Sequence, residues 1–472
     1  MLFRGRSIAL ATTAALALAG AAAAYAATLS GPSSSQTPYL VPVQSNVEIK
    51  SILTVGDAPA GSTYRLVGIP DGLGAFDNED GTFTLLMNHE LSGTGLVRAH
   101  GANGAFISKW VINKEDLSVV SGQDLIQTVM LWDKTTGQYQ AGTTTFARFC
   151  SADLADKGAF FDDGVGYKGR IFMNGEEAGV EGRAFAHLLD GTSYELPALG
   201  KFSWENSVAN PESGRATVVA GTDDGTGGQV YIYVGRKTKT GSPVEQAGLT
   251  NGSLYGVKVA GLGVETNASV LPGQVRFELV NLGDVTNLTG AQLEAASVAA
   301  GVTSFQRPED GAWNPAQPEQ FFFATTASFT GNSRLWRLNF DDKENPAAGG
   351  TIEMLLDGTE GQRMFDNLTV TEKGTLVLQE DPGNQAHLAK VWQYTPKTDT
   401  LTLIAQHDPA RFTPGAAGFL TQDEESSGVI DVQKILGEGW FLLDVQAHYR
   451  TDAELVEGGQ LLALRIKPGR GK

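Results

Sequence analysis

The stretch that decides the fold runs from Asp71 to Glu90. It opens Asp71-Gly72-Leu73-Gly74-Ala75-Phe76, turns through Asp77-Asn78-Glu79-Asp80-Gly81, and closes Thr82-Phe83-Thr84-Leu85-Leu86-Met87-Asn88-His89-Glu90. Two short apolar segments either side of an Asp/Asn/Gly turn read as a β-hairpin. The acids of the turn have the wrong spacing for an EF-hand, so a hairpin is favoured over a calcium loop.

The same unit recurs along the chain: an opening acid beside Gly or Asn, an apolar segment, a polar turn, a short apolar strand, and closing acids or amides. A second copy runs from Asp163-Gly164 through Arg170-Ile171-Phe172-Met173 to Asn174-Gly175-Glu176-Glu177. A third runs from Glu205-Asn206 to Asp223-Asp224, and a fourth from Arg307-Pro308-Glu309-Asp310 to Thr325-Thr326. The fifth joins Asp366-Asn367 to Gln379-Glu380-Asp381, and the sixth joins Glu424-Glu425 to Asp444-Val445-Gln446-Ala447-His448. Alternating stretches such as Gln229–Val234 and Lys390–Tyr394 supply further strands. Repeated four-stranded units of this kind mark a β-propeller. The expected fold is therefore all-β, a six-bladed β-propeller with inserted loops; a pair of β-sandwiches is the alternative.

Composition agrees. The 472 residues include 58 Gly and are 41% hydrophobic and only 19% charged, which suits a turn-rich β protein with an ample core. A formal charge of −18, from 53 acids against 35 bases, argues against nucleic acid as a partner. Arg4 and Arg6 before an apolar run from Ile8 to Ala24, with Ala24-Tyr25-Ala26 as a cleavage site, read as an export signal over residues 1–26. No other segment is long and apolar enough to span a membrane. The expected layout is that signal, a flexible linker at 27–46, a single propeller at 47–466 and a basic tail at 467–472. The mature protein is then secreted or periplasmic, with a monomer expected.

The hairpin geometry gathers the acids. The first and last residues of a hairpin lie at the same end, and the innermost hairpins of a propeller line its channel. Glu90, Glu176 or Glu177, Glu205, Asp223, Glu309, Asp366, Glu380 and Asp444 are thus expected around one mouth. So many carboxylates repel and take up protons unless cations neutralise them, and Ca2+ is the natural partner. The lone Cys150, in Phe149-Cys150-Ser151-Ala152-Asp153, can form no intrachain disulfide; a buried apolar thiol, a metal ligand and a reactive thiol all remain open for it. His89 beside Glu90 is a ligand, a proton donor or a packed hydrogen-bonding ring, and Trp204 is read as core. Standard motifs (P-loop, G-x-G-x-x-G after a strand, H-E-x-x-H, G-x-S-x-G) are missing.

In order along the chain, Ile69-Pro70-Asp71-Gly72, Met87-Asn88-His89-Glu90, Cys150, Asn174-Gly175-Glu176-Glu177, Arg307-Pro308-Glu309 and Asp366-Asn367 resemble the PhoX-type alkaline phosphatase family of secreted bacterial six-bladed propellers. The resemblance covers roughly Thr63 to Gln446 and implies a hydrolase, an iron–calcium phosphomonoesterase. It implies Cys150 as a ligand of Fe3+, Glu177, Glu309 and Asp366 as carboxylate ligands of the iron–calcium cluster, and Arg307 as the grip on phosphate oxygens, with Cys150 and Arg307 the residues on which catalysis turns. The chain departs from the family in three places. Ser151-Ala152-Asp153 replaces a Gly-rich segment, Gly166–Met173 replaces a Trp-rich one, and Arg4-Gly5-Arg6 is not a twin arginine. Two other readings compete. A calcium-dependent lactonase or related hydrolase would use Glu90, Asn206 and Asp366 and has no use for Cys150. A non-catalytic, calcium-stabilised extracellular propeller needs only the acids.

Overall fold

The computed structural model describes residues 28–468. The proposed export signal, and the tail beyond residue 468, lie outside the described residues. Within them the chain forms six mainly antiparallel blades around one axis. Blade I is built from Pro70–Asp77, Thr82–His89, Phe106–Asn113 and Val119–Asp124. Blade II holds Ile171–Gly175, Ala184–Leu188 and Thr192–Glu195, with the earlier hairpin Thr128–Asp133/Gln138–Gly142 on its outer edge. Blade III runs Trp204–Ala209, Ala216–Asp223, Val230–Arg236 and Ser253–Val259, and blade IV runs Pro308–Trp313, Gln320–Thr325, Arg334–Phe340 and Gly350–Leu356. The long strand Val275–Gly283 pairs with both, so these two blades share one nine-stranded sheet. Blade V comprises Phe365–Val370, Leu376–Glu380, Lys390–Thr395 and Thr400–His407.

Blade VI closes the ring. Its first three strands, Glu424–Asp431, Trp440–Arg450 and Glu457–Ile466, come from the C-terminal end of the chain, and its fourth, Val47–Thr54, comes from the N-terminal end. The alternation of side chains in each strand then decides the core. Inner strands such as Trp204–Ala209 are buried on both faces, so the core lies in the seams between blades and not in one central mass. Leu73 and Leu85 of blade I meet Ile52 and Leu442 of blade VI in one seam, and Phe321, Phe323 and Trp336 of blade IV meet Val208 and Val218 of blade III in another. The turn Asp77–Gly81 joins the first hairpin as expected, with Glu79 and Gly81 at positive φ and the Asp80 side chain accepting the Thr82 N–H at 2.9 Å.

Two expectations need correction. Residues 28–46 are not a free linker: Thr28–Ser30 pairs with residues 49–51, Leu40–Pro42 pairs with residues 405–407, and the Tyr39 N–H donates to Gln460 Oε1 at 2.6 Å. Ser, Thr and Pro made the stretch read as flexible, but the open edges of blades V and VI offer unpaired backbone that it covers. The opening of the second unit is also misplaced. Phe161–Asp162 and Val165–Gly166 form a separate small hairpin, and the Asp163 side chain is 92% exposed. The segment that lines the channel in blade II is 149–153, which pairs antiparallel with the next strand through Phe149–Glu176 and Asp153–Met173. Cys150 therefore occupies the position that an opening acid holds elsewhere.

Candidate metal centre

The six inner hairpins share one register at the mouth. The outermost paired rung is Pro70 with His89, Phe149 with Glu176, Trp204 with Asp223, Pro308 with Thr325, Phe365 with Glu380, and Glu424 with Ala447. The next residue of the inner strand is Asp71, Cys150, Glu205, Glu309, Asp366 and Glu425 in blades I to VI. The next residue of the second strand is Glu90, Glu177, Asp224, Thr326, Asp381 and His448. Each of these closing residues donates its N–H, at 2.8–3.0 Å, to the carbonyl two residues before the opening one: Ile69, Arg148, Ser203, Arg307, Met364 and Asp423. Register shifts beside the opening residue in blades I, III, IV and V bend the inner strand there and re-aim its side chains, whereas the shift in blade VI lies deeper, between Ser427 and Ile430.

The result is a continuous chain of ligand-type atoms. Asp71, Glu90 and Cys150 each bring one such atom within 4.8 Å of the others; so do Cys150, Glu177 and Glu205, and so do Glu205, Glu309 and Asp366. Cys150 and Glu205 are shared, so the three groups form one run across blades I to V. The Cys150 thiol donates to Asp71 Oδ2 at 3.4 Å, and Ser151 Oγ donates to Glu205 Oε1 at 2.5 Å. Two arginines lean over this run. Arg148 places Nε 2.5 Å from Glu90 Oε1 and Nη2 2.8 Å from Glu177 Oε2. Arg307 forks onto Asp224 with two bonds of 2.7 Å and reaches Glu309 at 3.2 Å.

Burial, then the neighbouring carboxylates, push Asp71, Glu309 and Asp366 well above the usual carboxylate range. Glu177 is likewise raised, against the pull of Arg148. Burial lifts Glu205 to about 8 and Asp381 to about 8. The Cys150 thiol is pushed up by burial and by Asp71. His448 behaves otherwise: burial would lower it, but Glu425 and Glu457 hold it protonated up to about 11, and it in turn holds Glu425 low. Asp366 Oδ1 is buried with no hydrogen-bond partner among the described residues. Crowded, buried oxygens that resist ionisation fit hard cations, and a thiolate set among them suits iron better than calcium.

Of the residues singled out in the sequence, Glu90, Cys150, Glu177, Glu205, Glu309 and Asp366 come together, with Arg307 beside them. Glu176, Asp223 and Glu380 do not join the run. Glu176 is bound by Arg183 through two contacts of 2.7 Å and accepts the Ala147 N–H at 3.0 Å. Asp223 accepts the Ser203 N–H, and Glu380 accepts from the Arg363 N–H and the Trp392 indole. Each is the first of an acidic pair, and the strand pleat turns the second, Glu177, Asp224 or Asp381, towards the mouth. Asp444 lies deeper, opposite Ser427, fully buried with neither oxygen partnered among the described residues. Asp71, Asp224, Asp381, Glu425 and Arg148 were missed as site residues. His89 is packed, its ring between the Gly68 carbonyl and Ser108 Oγ, and Trp204 is core. The Asn206 amide donates to Asp310 and its carbonyl accepts the Ser207 N–H, so it is not free to join Glu90 and Asp366 as a lactonase set would require.

Fold and site together define a six-bladed propeller with a thiol-and-carboxylate mouth flanked by two arginines. The family description "Alkaline phosphatase PhoX" matches residues 186–429, just over half of the sequence. The chain belongs to the PhoX alkaline phosphatase family. Among solved structures, Pseudomonas fluorescens PhoX in complex with vanadate, a transition state analogue, aligns with a TM-score of 0.66 over 94% of this chain and 97% of its own, at 12% identity. The two share the fold. A structure described as "putative TolB from Agrobacterium tumefaciens" aligns with a TM-score of 0.35 over 72% of this chain and 83% of its own, at 10% identity. No curated protein matches the sequence significantly. Among the described residues no helix is long and apolar enough to cross a membrane.

Proposed function

We propose that the chain is an exported, metal-dependent phosphomonoesterase, a single propeller domain acting as a monomer, with its reaction centre at the mouth. The observation that carries this reading is the run from Asp71 to Asp366 through Cys150, flanked by Arg148 and Arg307 at equivalent positions of blades II and IV. Cys150 with Glu177 and Glu205 would hold iron, and Asp71, Glu90, Glu309 and Asp366 would complete an iron–calcium cluster. Such a cluster, when bound, offsets phosphoryl charge and lowers the pKa of a bound water.

The chain's own residues supply the rest. Arg148 and Arg307 are part-exposed at the mouth, and a guanidinium offers a planar fork that matches two phosphoryl oxygens. Each is now tethered to carboxylates, which sets its orientation before substrate arrives. Buried walls around the run exclude water and strengthen these contacts.

The test is metal analysis of the purified protein with nitrophenyl phosphate turnover before and after chelation. Iron and calcium should both be present, and activity should fall on chelation and return on reconstitution. Cys150→Ser should lose the iron and its visible thiolate colour while the propeller stays folded. Wild-type protein reconstituted with iron and calcium that hydrolyses no phosphomonoester would overturn the reading in favour of a calcium-stabilised scaffold.

A further inference from the structure

Behind each mouth arginine sits a second arginine holding a buried carboxylate, and the two sets are built differently. In blade II, Glu176 precedes the closing residue and accepts the N–H of Ala147, the residue before Arg148. Arg183, opposite Glu176 on the next strand, holds that carboxylate. Blade V repeats the device: Glu380 accepts the N–H of Arg363, the residue before Met364, and also the Trp392 indole. In blade IV the equivalent position is Thr325, whose hydroxyl oxygen accepts the Trp336 indole at 3.1 Å. No bond joins Thr325 to the N–H of Gln306, the residue before Arg307.

That N–H is taken by an imported carboxylate. Glu265 comes from the long excursion between blades III and IV, and its Oε2 accepts the Gln306 N–H at 2.8 Å. Its Oε1 accepts from Thr325 Oγ1 at 3.0 Å and from Arg334 Nη1 at 2.6 Å. Arg334 is paired with Thr325 across the strands and so matches Arg183 of blade II. The Glu265 and Arg334 side chains are 0% and 1% exposed. Arg334 also donates to the carbonyls of Thr266, Asn267 and Ser269, which ties the excursion to the blade.

One carboxylate thus grips both strands of the blade IV hairpin one residue behind the mouth. Thr325 leads to Thr326, whose N–H holds the Arg307 carbonyl at 3.0 Å. Gln306 leads to Arg307 itself, whose φ of 60° is a conformation that only firm surroundings maintain for a non-glycine residue. We infer that Glu265 is a positioning residue for Arg307. It stands in for the glutamate that blades II and V carry within the repeat, which makes the excursion between blades III and IV part of the active-site machinery. The inference rests on the proposed role of Arg307 in gripping phosphate.

The test is a double-mutant cycle of Glu265→Gln and Arg307→Ala, read by the competitive inhibition constant of inorganic phosphate and by kcat and KM separately. Glutamine presents a donor where the carboxylate now accepts, so at least one contact breaks. Glu265→Gln alone should weaken phosphate binding by about 10- to 10²-fold, the scale of a misplaced binding group, with iron and calcium content unchanged. In the Arg307→Ala background it should change phosphate binding by less than about twofold, since residues acting through one another are not additive. Full additive loss in that background, or an unchanged constant in the single variant, overturns the inference. Thr325→Val, which removes one of the three contacts to Glu265 and with it the bond accepted from the Trp336 indole, is the alternative variant if Glu265→Gln does not fold, and the same two criteria decide on it. If wild-type protein binds no phosphate, the functional reading has failed on its own. The positioning claim is then decided by a crystal structure of the variant, in which an unmoved Arg307–Asp224 fork overturns it and a released fork upholds it.

Discussion

The two ends of the channel are made by the same six strands and obey opposite rules. At the mouth, Asp71, Glu205, Glu309 and Asp366 are crowded, buried and raised in pKa. Two to four residues further along four of the strands the chemistry changes: Leu73, Val208, Leu368 and Val429 line the channel, which continues as a cavity of about 340 Å3. Apolar packing in the seams stabilises the ring behind the mouth, where Asp153 and Asp310 are the buried carboxyls that also line the cavity. The mouth is costly on its own, because buried like charges destabilise a fold unless protons or cations offset them. Function and stability therefore divide along each inner strand, and not between blades.

That division is broken most severely at the arginines. Arg307→Ala and Arg148→Ala should each lower kcat/KM by about 10²–10³-fold, or about 2.7–4 kcal/mol, the range for removing one preorganised transition-state contact. Lysine should not restore either, since the planar fork is lost although the charge is kept. Melting temperature and metal content should hardly move. Equal losses for both would show that the equivalent positions in blades II and IV act as a pair. The converse case is Leu73→Ala, 1% exposed in the seam between blades VI and I. It should cost about 3 kcal/mol of stability, read by denaturant unfolding, and leave kcat and metal stoichiometry unchanged.

Much of this was legible in the sequence. Six hairpins were visible because five of the six apolar runs end on acids, the fourth ending on Thr325-Thr326, and the ring of acids followed from hairpin geometry. What was not legible was which acid of a pair faces the mouth. Glu176 and Glu177 look alike as letters, and only the strand register assigns one to Arg183 and the other to the mouth. Blade II was misread because its channel segment 149–153 is tied by single bridges and carries a cysteine where the repeat has an acid. In the last unit, which reads through to His448, Asp444 was the wrong choice of mouth residue, because Trp440–Arg450 runs eleven residues, carrying the mouth position on to His448 and leaving Asp444 deep in the strand. Glu265 had no signal at all, since its partners Gln306, Thr325 and Arg334 lie 41, 60 and 69 residues away.

Metal removal sharpens the comparison further. Cations that bind only the folded mouth stabilise it by mass action, about 2.7 kcal/mol for one site at a hundredfold excess over Kd. Excess chelator should therefore lower the melting temperature, and returning calcium should restore it. A melting curve unchanged after the metals have demonstrably left would show that protons alone balance the mouth.

The smallest effect separates the two ends by pH. Asp153 lies among the channel-lining residues behind the mouth, accepts the Ala209 N–H at 2.8 Å, and is raised by burial to about 7, with Asp310 and Asp156 adding to the rise. A carboxyl raised in the folded state favours folding while it is protonated. Its contribution is whole below the unfolded value near 3.8 and is lost as pH climbs towards about 7. The slope is at most about 1.4 kcal/mol per pH unit for one group and flattens above that window. Glu205 at the mouth follows the same sign up to about 8. With metals bound, the mouth's share of the pH dependence should vanish, because the cations take the place of the protons, whereas the Asp153 share should persist. Melting curves from pH 4 to 9, with and without chelator, for wild type and Asp153→Asn, would separate the two. A metal-loaded Asp153→Asn protein as pH-sensitive as wild type would place the residual slope elsewhere.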